Sequence, residues 1–78
     1  MDTVIISSRQ DAQVLVDDMA ARYRKNFADA TQEFFFKDRS KSKYTLLAQG
    51  SGGFHIFETG KNLKASDTVD YIVSLLNE

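Results

Sequence analysis

The 78-residue chain has no cysteine and only one histidine. The first absence excludes a disulfide framework, a thiolate metal site and a cysteine nucleophile, and it fits a reducing compartment. The second leaves His55 with no histidine or cysteine partner for metal binding or proton transfer. Long apolar runs are missing too. Val4-Ile5-Ile6 is too brief for the core of a signal peptide, and no segment could span a bilayer. The default expectation is a soluble cytoplasmic protein with no membrane partner. No internal repeat, linker or low-complexity tract breaks the chain, so one domain is expected. Gly50-Ser51-Gly52-Gly53 lacks the Walker lysine and the dinucleotide spacing, and it does not precede a helix. It reads as a hairpin loop, and no cofactor is implied.

What the chain does have is ordinary for a folded domain: 42% hydrophobic and 27% charged residues, unlike a disordered segment. The central stretch sets its organisation. Residues 31–37, 43–49 and 54–59 are rich in β-branched and aromatic side chains and are separated by turn residues. They read as a three-stranded antiparallel meander. Before it, Ser8 and Asp11 mark a helix start. Ala12, Leu15, Val16, Met19, Ala20, Tyr23 and Phe27 then lie on one stripe, predicting a helix over residues 9–27. After it, Ser66 is the expected N-cap of a helix over residues 67–76, with Val69, Ile72, Val73 and Leu76 on its stripe. Residues 60–65 read as a loop, and residues 3–6 as a possible short strand. The fold class is α+β, a two-layer sandwich of order α-β-β-β-α with both helices on one sheet face.

Alternation divides the sheet. Phe34, Phe36, Tyr44, Leu46, Ala48, Phe54 and Ile56 fall on one face, and with Tyr23, Val69 and Ile72 they form the expected core. The other face carries Phe35, Thr45, Leu47, His55 and Phe57, with Phe35 and Phe57 expected to flank Thr45. Three large apolar residues on a face with no assigned cover point to an interface. Glu58 is expected on the core side of the same strand, away from His55.

The net charge of −1 argues against a generic nucleic-acid binder, but the charge is uneven. Lys37, Arg39, Lys41 and Lys43 cluster around the first hairpin turn, a possible contact for phosphates or an acidic protein. Gly53-Phe54-His55 is similar to the glycine-histidine strand of small ribonuclease toxins, although here the histidine is on the third strand. The order α-β-β-β-α resembles double-stranded-RNA-binding domains and the Alu-RNA-binding subunits of the signal recognition particle. Where the former carry a basic cluster, this chain has Ala65-Ser66-Asp67-Thr68-Val69-Asp70. The resemblance is therefore one of element order, and no family follows from it.

The expectation is a small non-catalytic binding module. Its partner is another protein or a second copy, held at Phe35, Thr45, Leu47, His55 and Phe57. The alternative is RNA or single-stranded nucleic acid on that face and the basic hairpin. No metal site and no catalytic group is expected.

Overall fold

The computed structural model describes residues 3–26, 30–50 and 52–78. The elements run β1 (Val4–Ile6), α1 (Arg9–Lys25), β2 (Thr31–Phe36), β3 (Arg39–Ala48), β4 (Gly53–Ile56), β5 (Lys61–Lys64) and α2 (Ala65–Leu76). The strands form one sheet in sequence order, with β1 parallel to β2 and every other pair antiparallel. A parallel pair needs a long crossover, and α1 supplies it. The fold is α+β with two helices, as expected. The three-stranded meander is present as β2–β4, but the sheet has five strands. β1 joins one edge, and β5 forms within the expected loop.

β5 reads Lys-Asn-Leu-Lys, a poor strand sequence, so its pairing with β4 rather than local preference makes it a strand. A four-residue turn leads into it. There the Gly60 N–H donates to the Ile56 carbonyl at 2.9 Å, and Gly60 adopts φ 71°, which glycine takes without strain. β5 runs straight into α2, which therefore starts at Ala65 rather than Asp67. Lys64 takes the N-cap position in place of Ser66, and the Thr68 hydroxyl donates to the Lys64 carbonyl at 2.8 Å. This junction sets the helix rotation. Leu75 is buried with Thr68, Val69 and Ile72, while Val73 and Leu76 are only partly covered.

α1 begins as the sequence indicates, with the Asp11 N–H donating to Ser8 Oγ. It ends at Lys25, and Phe27 lies outside the described residues. Ala12, Leu15, Val16 and Met19 are buried against the sheet, whereas Tyr23 is half-buried. The Tyr23 hydroxyl lies close to Gly50, where a Cβ would come within 2.8 Å of it. At the end of α1, the Arg22 guanidinium donates to Gln32 Oε1 at 2.7 Å, tying the helix to β2.

Both helices contribute to one core with Ile6, Phe34, Phe36, Leu46, Ala48, Phe54 and Ile56, so both cover the same sheet face. Phe34 and Phe36 are 0% and 1% exposed, and Phe35 between them is half-buried. Phe34 stacks on the half-buried Tyr44 at 5.6 Å between ring centroids. Among the described residues no helix is long and apolar enough to cross a membrane.

Candidate functional site

The second sheet face is built in rows by the strand register. Ile5, Phe35 and Lys43 form one row; Glu33 and Thr45 form the next; Thr31, Leu47, His55 and Asn62 form the third. Phe57 closes the middle row, its N–H donating to the Thr45 carbonyl at 3.1 Å. Among the described residues no element covers this face. Ile5 and Phe57 are 49% and 52% exposed, and Phe35, Leu47 and His55 are half-buried.

Phe57 flanks Thr45 as expected, but Phe35 does not. Phe35 pairs with Lys43, and Thr45 pairs with Glu33. The cause is in the first hairpin, which turns tightly at Lys37 and Asp38 so that Phe36 pairs with Arg39. From there to the Phe35–Lys43 pair, one step on β2 spans four on β3. That irregularity moves the partners by two places relative to a turn over residues 38–42. A two-residue shift preserves the faces and changes the neighbours.

The middle of the face is consequently polar. Glu58 was expected on the core side, but it lies beyond the end of β4, in the turn, and its carboxylate reaches Thr45. Oε1 accepts the Thr45 N–H at 2.6 Å and Oε2 accepts the Thr45 hydroxyl at 2.9 Å. The carboxylate thus satisfies an amide that β4 no longer reaches, and Thr45 is buried beneath it. Beside it, Lys43 Nζ lies 3.2 Å from Glu33 Oε2.

His55 sits in the third row, its Nδ1 2.9 Å from Asn62 Oδ1. An amide oxygen only accepts, so Nδ1 carries the proton of this bond. Gln49 Nε2 donates to the same oxygen at 3.3 Å, and the imidazole lies 5.1 Å from the Phe57 ring between centroids. Among the described residues no group of three or more histidine, cysteine or acidic side chains could hold a metal ion.

The basic hairpin divides. Lys37 is exposed, Lys43 is paired with Glu33, and the side chains of Arg39 and Lys41 lie outside the described residues. Four residues of the face escaped the sequence reading of the site. Ile5 was hidden in a strand too short to place, and its only signal was the β-branched run Val4-Ile5-Ile6. Asn62 belongs to a strand with no propensity signal. Gln49 and Glu58 follow the last strand residues of β3 and β4, where alternation no longer locates a side chain.

No family model matches the chain, and no curated protein or solved structure matches it.

Proposed function

We propose that this chain is a small protein-binding module that docks another protein, or a second copy, on the second face of its sheet. The observation that carries the reading is the uncovered face itself. Exposed Phe57 and Ile5 sit beside half-buried Phe35, Leu47 and His55, while both helices occupy the opposite side. Protein interfaces depend on a few aromatic anchors, and Phe35 and Phe57 supply such rings here, with the hydrogen-bonded polar groups between them fixing register. Glu33 and Glu58 weigh against nucleic acid here. A phosphate backbone crossing the middle row would meet two carboxylates, and Lys43 is already engaged by one of them.

Size-exclusion chromatography with light scattering, run with and without added RNA, separates the possibilities. The double variant Phe35→Ser with Phe57→Ser is expected to keep its circular dichroism and cooperative melting while losing its dimer or partner. A double variant that unfolds would place these rings in the core. An RNA complex that weakens steeply with salt, and weakens further on neutralising Lys37 and Lys43, would move the function to nucleic acid.

A further inference from the structure

We propose that the outer edge of β1 accepts an extended segment of another protein as a sixth strand, with basic residues of that segment facing α1. Among the described residues no strand pairs with the outer side of β1. The Ile6 carbonyl accepts from the Lys37 N–H at 3.1 Å, on the β2 side. In a parallel ladder, Val4 and Ile6 then turn both backbone groups toward β2, and Ile5 turns its N–H and C=O outward. The Ser7 N–H is already taken by Asp11 Oδ2 at 2.8 Å, so the open stretch is Thr3 to Ile5.

Both flanks of this edge are apolar. Ile5 lies on the open-face side and Val14 on the α1 side, 49% and 60% exposed. They are two of the three large hydrophobic residues exposed among the described residues. A groove lined by Val4, Ile5, Asp11, Val14 and Asp18 runs between them. One added strand would cover Ile5 from one side and Val14 from the other. The opposite edge of the sheet is different: β5 carries exposed Lys61 and Lys64, and edge lysines discourage strand addition. β1 carries no charge.

Charge chooses the occupant. The helix wall of the groove presents Asp11 and Asp18, with no basic residue lining it among the described residues. Arg22 approaches Asp18 at 3.5 Å, but its shorter bond, 2.7 Å, goes to Gln32. In an added strand the residue opposite Ile5 shares the open face, and its two neighbours point toward α1. Lysine or arginine there would lay its aliphatic stem over Val14 and bring its charge to the two carboxylates. The segment is therefore an apolar residue flanked by basic ones. A second copy fits poorly. Two-fold pairing of β1 with itself would set α1 against α1, Asp11 opposing Asp18, and would bring no basic residue from either β1.

This edge does not depend on the open-face reading. The probe is a fluorescein-labelled heptapeptide alternating lysine or arginine with valine, titrated with the full chain and read by fluorescence anisotropy. Saturable binding is expected. Ile5→Pro removes the outward N–H without touching a bond to β2, and it should weaken binding by about tenfold or more. Ile5→Ala keeps that N–H and should weaken it less. Val14→Lys, at an exposed helix position, should repel the peptide without disturbing the core, and so serves if the proline variant fails to fold. Phe57→Ser should leave peptide binding unchanged even where it abolishes docking on the open face. Failure of the chain to bind, or equal binding of a peptide with glutamate in place of the basic residues, overturns the proposal. So does equal binding by Val14→Lys. A dimer of the chain alone that Ile5→Pro dissociates and Phe57→Ser leaves intact would overturn the choice of partner.

Discussion

Phe34, Phe35 and Phe36 are consecutive, identical side chains, and the sheet treats them in two ways. Phe34 and Phe36 are enclosed beneath the helices, and Phe35 faces outward beside Ile5 and Lys43. Composition alone does not separate the two faces. What separates them is cover, and behind that the polar groups each face must satisfy. The core admits few polar side chains, such as Gln32 of β2 and Thr68 of α2, each hydrogen-bonded. The open face keeps a polar cluster of Glu33, Thr45 and Glu58 among the apolar side chains of Phe35, Leu47 and Phe57. One face is sealed within the chain, and the other leaves apolar side chains exposed beside hydrogen-bonded polar ones.

The comparison breaks most directly at the phenylalanines. Phe36→Ala removes a fully enclosed ring and should cost about 3–5 kcal/mol. Phe35→Ala removes a half-exposed one and should cost about 1 kcal/mol. Urea unfolding of both variants, with the slope held constant, measures the difference. Equal losses would mean that the second face is packed as tightly as the first.

The next effect concerns the polar row. Glu58→Ala leaves the buried Thr45 N–H without its acceptor and should cost about 1–3 kcal/mol. Glu58→Gln keeps a carbonyl oxygen in reach and should cost less. The same unfolding measurement ranks the three chains. A neutral Glu58→Ala would show that water replaces the carboxylate, so that the row is not a fixed feature of the face.

How much of this was legible follows from which signals have a period. Phe34 and Phe36 could be assigned inward and Phe35 outward because alternation survives a register shift of two. The pairing of Phe35 with Lys43, and of Thr45 with Glu33, could not be read. It depends on where β3 absorbs its extra residues, and the polar run from Arg39 to Lys43 has no apolar pattern to mark the place. β5 was hidden because Lys61, Asn62 and Lys64 carry no strand preference of their own. Glu58 was misplaced because it lies in a turn, where a strand rule was applied. Of the site, Phe35, Leu47, His55 and Phe57 were visible as residues, and the polar contacts among their neighbours were not.

The smallest expected effect sharpens the comparison from the helix layer. The Asp11 carboxylate accepts from both the Ser7 N–H and the Ser7 hydroxyl at 2.8 Å, and these bonds hold it below its ordinary value of 3.8. A carboxylate whose folded value is depressed stabilises the fold above its unfolded value. That contribution fades as the pH falls through the folded value. Asp11→Asn removes the titration while keeping an oxygen near Ser7. The native chain should therefore be more stable than the variant at pH 6, and the gap should close as the pH drops below 3.8. Chemical unfolding of both chains across that interval measures it. Asp11 is only partly covered, so the gap should be modest, and salt should reduce its charge-dependent part. A gap that persists unchanged in acid would mean that Asp11 acts through packing at the start of α1 rather than through its charge.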